Sequence, residues 1–157
     1  MNKQLNRPQD FPTINLKKGG ATLSILIGLI LLSYLVVGTA SYWYLYKIRL
    51  LIGYHFGMNI AMTSGMVMGI TIGTVLGYEF PASYTLITVL TTLIAMIIGA
   101  IFGALVDYQI LLTGATSGIM GGIMGPMIGM AADLPLIVFC TFLVFISFGL
   151  LCFSARA

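Results

Sequence analysis

Residues 53–77 read GYHFGMNIAMTSGMVMGITIGTVLG, a stretch without a single charged side chain. A small residue recurs at every fourth position, as Gly53, Gly57, Ala61, Gly65, Gly69, Gly73 and Gly77. An apolar segment needs about 20 residues to cross a bilayer as a helix, and this one has enough. Lipid provides no hydrophobic force between helices, so packing there comes from close backbone approach over small side chains. At ~100° per residue, each step of four drifts by about 40°, and the whole row winds some 240° around the helix. One flat contact cannot use such a row. The segment is therefore expected to pass against more than one neighbour, at the centre of a bundle or of an oligomer.

The rest of the chain is of the same kind. Of 157 residues, 59% are hydrophobic and 7% charged, and the mean hydropathy is +1.07. Soluble domains carry about 25% charged residues. Four acids and seven bases cannot cover a compact body with polar surface, so the exterior must face lipid. The expected fold is an all-α, polytopic membrane helix bundle of five spans, near 21–46, 50–78, 83–106, 110–132 and 135–154. Polar breaks separate them: Glu79-Phe80-Pro81, Asp107-Tyr108-Gln109 and Asp133-Leu134-Pro135. Proline disfavours helix at the residue before it, and the long apolar run between the first and last of these breaks is too long for one crossing. The second and fourth spans, rich in glycine, are expected at the centre, and the first and fifth, rich in Leu, Ile and Phe, against lipid.

Residues 1–20 are polar, contain Pro8 and Pro12, and are read as a flexible arm. Lys3, Arg7, Lys17 and Lys18 against the lone Asp10 place this arm on the cytoplasmic side, with the chain as a multi-pass protein of the plasma membrane. Tyr42, Trp43, Tyr44 and Tyr46 mark the opposite interface, and Lys47 and Arg49 then lie outside. Gly38-Thr39-Ala40 imitates a signal-peptide cleavage point, although the leader and the apolar run before it are long for one. Cys140 and Cys152 read as buried free thiols. The basic residues are too few and scattered for nucleic acid, so the expected partners are the lipid bilayer and either further copies of the chain or partner membrane helices.

Shorter small-residue rows recur: Ala95, Gly99 and Gly103; Ser117, Gly121, Gly125 and Gly129; and, beside the latter, Gly114, Gly118 and Gly122. Thr63-Ser64-Gly65 is echoed by Thr116-Ser117-Gly118, as a duplicated hairpin would leave it. Pro126 deprives the carbonyl of Gly122 of its helical donor, so that oxygen needs water, a side chain or an ion.

Methionine is the other signal. Met58, Met62, Met66 and Met68 lie in the second span, and Met120, Met124, Met127 and Met130 in the fourth. The only histidine, His55, falls with Met58, Met62 and Met66 within about 80° of arc, a ladder rising ~16 Å. In the fourth span the methionines cover about 120°, with Gly121, Gly125 and Gly129 on the other side. Thioether sulfur is a soft, neutral ligand that selects Cu(I) over hard cations, and imidazole adds a stronger ligand at one end. Since thioethers do not titrate, successive weak sites could pass a monovalent ion inward. The Met-x-x-x-Met pairs Met58/Met62, Met62/Met66 and Met120/Met124 resemble the arrangement in the eukaryotic high-affinity copper transporters, where such a pair lines the path and a GxxxG element packs the helices. Those proteins have three spans and keep the two motifs on different helices, so the likeness is one of local spacing.

The candidate ligand set is therefore His55, Met58, Met62 and Met66, with Met120, Met124 and Met127 opposite, and the expected function is a small transporter or metal-handling protein for a soft cation such as Cu(I). Methionine also fills gaps beside glycine in any membrane core, and a histidine near a span end also serves as an interfacial residue. The alternative is a non-catalytic assembly or scaffold subunit that binds partner helices through its glycine rows; a third reading is a passive pore. No enzyme is expected: catalytic triads, HExxH, CxxC and phosphate-loop motifs are all lacking, no acid falls inside a span, and no catalytic residue or bound cofactor beyond Cu(I) is assigned.

Overall fold

The computed structural model describes residues 20–48 and 53–154. Most of the N-terminal arm lies outside them, as do Lys3, Arg7, Lys17, Lys18 and Arg49, on which the orientation reading leans. The described residues form five α-helices and one short 3₁₀ turn: α1 (Gly20–Ile48), α2 (Tyr54–Glu79), the turn Pro81–Ser83, α3 (Tyr84–Gly103), α4 (Tyr108–Met130) and α5 (Leu134–Ser154). All five are long and apolar enough to cross a membrane, and no strand occurs among the described residues. The chain is an all-α, multi-pass membrane bundle.

The helix ends follow from local chemistry. Phe80, held before Pro81, leaves the helical region at φ −125°, ψ 62°, and stops α2 at Glu79. Asp107 caps α4, its Oδ1 accepting the backbone N–H of Tyr108 at 2.7 Å, so this helix starts at Tyr108, earlier than the hydropathy alone suggests. Its extended backbone also ends the α3 side of the turn, where Ala104–Val106 are no longer helical. Pro135 sits in the first turn of α5, where its missing N–H costs nothing.

Helix α2 is the axis of the bundle, with 61% of its most apolar stretch buried against 17% for α1. Its small-residue row explains the difference. A methyl group built on Gly65 would stand 2.8 Å from the Gly114 carbonyl oxygen and 3.1 Å from the Gly99 Cα, so this one position meets both α3 and α4. Gly69 does the same between Ala95 and Gly122, whereas the atoms nearest to Gly73 and Gly77 belong to α4, at Gly125 and Pro126. The nearest partners of the row thus change as it winds by about 40° per step. Between α3 and α4 the approach is closest of all: Gly99 against the Gly114 carbonyl, and Gly118 against that of Ala95.

The pairing order fixes direction. Gly65 lies by Gly118, Gly69 by Gly122 and Gly73 by Pro126, so α2 and α4 run parallel and the echoed Thr-Ser-Gly triplets sit side by side. Helix α3 runs antiparallel to both and closes a tight three-helix unit. By contrast, α4 is not central: it packs on α2 and α3 along its glycines and leaves the rest of its circumference exposed. Helices α1 and α5 run parallel to each other, joined by the Tyr34 and Thr141 hydroxyls at 2.8 Å, and rest on the unit through larger side chains such as Phe102 and Phe148.

Candidate functional site

The freed carbonyl of Gly122 has a protein partner. Thr91 of α3, 1% exposed, directs its hydroxyl at that oxygen over 3.1 Å while also reaching the Ile87 carbonyl of its own helix at 2.8 Å. Thr74 of α2 does likewise for Gly125 at 3.3 Å. These carbonyls lie in the α2/α3/α4 contact and are held by threonine, so the glycine-rich core is built as packing. The sequence pointed to Gly122 through Pro126 but could not name Thr91, because the α3/α4 register is a property of the fold.

The methionines divide by environment. Met68 points inward, 2% exposed, with its Cε against Gly38 of α1, and belongs to the core. The expected ladder turns the other way. His55 is exposed at the start of α2, its ring 6.1 Å from that of Tyr54. Met58 and Met66 are half-buried, and Met62 is 41% exposed. On α4, Met120, Met124 and Met127 are all exposed, Met127 to 61%, and so is Met130.

The two rows do not face one another across a lumen, contrary to the expectation that placed the α4 methionines opposite the ladder. Glycines fill the space between the helices, and two backbones that touch leave no channel. What the fold does instead is bring the rows to one flank. The Ser117 hydroxyl of α4 donates to the Met62 carbonyl at 2.7 Å, and Gly121 lies against the Met66 carbonyl. Ser117, Met120 and Met124 fall within about 60° on α4. Met62 and Met66 therefore adjoin Met120 and Met124 along the outer side of the α2/α4 seam, the side away from α3. Thioethers from two parallel helices share an apolar, lipid-depth surface there, with His55 at one end.

Comparison with protein-family models, with curated proteins and with solved structures finds nothing that matches this chain. Its function is therefore argued from its own residues.

Among the described residues, no three His, Cys, Asp or Glu side chains gather as a hard-metal or zinc site would need. Cys140 and Cys152 are free thiols on α5, Cys140 buried and Cys152 partly so. A crevice of about 510 Å³ opens between α1, α2 and α3, lined by residues such as Leu31, Leu35, Met68, Ile72 and Ile98. Of its hydroxyls, Tyr34 is tied to Thr141 and Thr39 to the carbonyls of its own helix. It offers an ion a single thioether, so the soft-ligand density of the molecule lies on the α2/α4 flank.

The same flank carries two unspent polar groups. Threonines inside these helices return their hydroxyls to a carbonyl three or four residues back, as Thr71, Thr88, Thr92, Thr113, Thr116 and Thr141 do. Thr63 makes no such bond, and Asn59, exposed one turn before it, has no hydrogen-bond partner among the described residues.

Proposed function

We propose that the chain is a multi-pass protein of the plasma membrane that handles a soft monovalent cation, with Cu(I) the best chemical match, on the methionine flank of α2 and α4. The observation that carries this reading is that Ser117 and Gly121 of α4 meet the Met62 and Met66 carbonyls of α2, which sets the methionine-bearing faces of the two helices on one side of a seam filled by glycine. On α4, packing alone has no need for methionine on the exposed side, since the opposite side, with Gly121, Gly125 and Gly129, already does the packing. Neutral thioethers in an apolar setting favour Cu(I) over Na⁺, Mg²⁺ or Zn²⁺. His55 stands where α2 begins, beside the Tyr54–Gln109 hydrogen bond of 2.6 Å, and would serve as the entry ligand. Met58 continues the row inward, and Met127 extends it on α4. No chemical transformation is assigned, and the protein is read as a non-enzyme with its N-terminus cytoplasmic.

The alternative, an assembly subunit that binds partner helices through its glycine rows, has to work without the best of those rows. Gly65, Gly69, Gly73 and Gly77 are occupied by α3 and α4 of the same chain.

Anaerobic Cu(I) titration of the purified, detergent-solubilised chain, followed by elemental analysis, tests the proposal. The parent is expected to retain near-stoichiometric copper, and a Met58/Met62/Met66 triple leucine variant to lose most of it while remaining folded, since leucine for methionine nearly conserves volume. Equal copper in both proteins would refute the assignment.

A further inference from the structure

We infer that the Asn59/Thr63 strip of α2 is a self-association surface that takes the same strip of a second copy of this chain. Helix α2 spans Tyr54–Glu79, and the twenty or so residues that match the hydrocarbon thickness are about 57–76. Asn59 and Thr63 both fall inside that window, ~3 Å and ~9 Å below its edge at 1.5 Å per residue. Neither side chain is spent within the chain, and lipid tails offer nothing to bond. An amide or hydroxyl left alone in hydrocarbon carries a penalty that a helix neighbour with polar groups at the same depth removes.

The occupant follows from two properties. The asparagine amide is both donor and acceptor and is therefore complementary to itself, and the threonine hydroxyl is too. Copies inserted in one membrane share one orientation, so a twofold axis along the membrane normal sets Asn59 across from Asn59 and Thr63 from Thr63 at matched depth. A second copy satisfies the requirement without any further component. On α2 Asn59 lies about 60° and Thr63 about 100° from Met62, so association also brings the two ladders of His55, Met58, Met62 and Met66 toward each other, covering part of a flank that a single chain leaves to lipid. The argument stands on Asn59 and Thr63 and does not need the copper reading; where both hold, the ligand set is shared between copies.

The test is self-association in lipid vesicles, by energy transfer between labelled copies over a dilution series in lipid, with chelator present throughout. The parent is expected to associate, and an Asn59→Leu, Thr63→Val double variant to require at least tenfold higher protein density in the bilayer for the same transfer. Thr63→Cys in a background with Cys140→Ala and Cys152→Ala is expected to crosslink to itself on oxidation, while Thr85→Cys at the far end of the bundle does not. A parent that stays monomeric at every density would overturn the inference, as would association that the double variant leaves unchanged. Asn59 is exposed and Thr63 half-buried in the single chain, and resistance to SDS unfolding separates loss of association from loss of folding. Because the chelator removes metal, this result is independent of whether copper binds.

Discussion

Gly99→Val and Gly114→Val are each expected to lower the unfolding free energy, measured by SDS titration in mixed micelles, by about 3 kcal/mol. The reason is geometric. A Cβ at Gly99 would stand closer to the Gly114 carbonyl than any real Cβ contact, and a Cβ at Gly114 meets the Gly99 carbonyl in the same way. The obstacle is backbone on both sides, which cannot rotate away as a side chain can, so the helices must separate and give up the α3/α4 contact around them. Gly65 lies against both residues, and the separation is felt in α2 as well. The matched control is Gly28→Ala with Gly149→Ala. Nothing stands within 4 Å of either position, and alanine in place of glycine favours a helix by up to ~1 kcal/mol, so these variants are expected to be as stable as the parent or slightly more so. A uniform response to all four substitutions would show that the glycines act through helix propensity and not through close approach.

The second large effect concerns the fourth helix. Replacing Met120, Met124 and Met127 together by leucine is expected to weaken Cu(I) capture tenfold or more, about 1.4 kcal/mol, without changing stability. These side chains are exposed, on the side of α4 away from Gly121, Gly125 and Gly129, so the fold has little use for their sulfur. A Cu(I) competition titration with a colorimetric chelator reads the change directly. If the α4 triple variant binds as the parent does while the α2 triple variant does not, the site is confined to α2 and the shared flank is coincidental. The Met68→Leu variant serves as the reference, because Met68 is buried against Gly38 and carries no role in the site.

Much of this architecture is written plainly in the chain. Three acid-bearing breaks, two of them with proline, locate the turns, and a four-residue row of small side chains marks the helix with several neighbours. The winding of that row anticipates that it meets more than one neighbour, as Gly65 does with Gly99 and Gly114. What the rows do not contain is the identity of the partners. Helical arc alone says that Met120, Met124 and Met127 lie together and away from Gly121, Gly125 and Gly129, but not which side of α2 that face will adjoin. The choice was decided by the Ser117 hydroxyl and the close approach at Gly121, where α4 meets the Met62 and Met66 carbonyls, and that contact depends on the register of two parallel glycine rows. The α4 methionines do not stand opposite the α2 ladder, because the same glycines that let the helices meet leave no room between them. Thr91 was invisible for a related reason: it is one threonine among several in apolar helices, and only the fold tells which hydroxyl is committed to a neighbouring carbonyl.

X-ray absorption at the copper edge tests the central claim most directly, applied to the Cu(I)-loaded protein with Cys140→Ala and Cys152→Ala so that every remaining sulfur is a thioether. The account predicts a first shell dominated by sulfur, with at most one nitrogen from His55. Copper surrounded only by nitrogen and oxygen, or copper lost once the two thiols are removed, would contradict it.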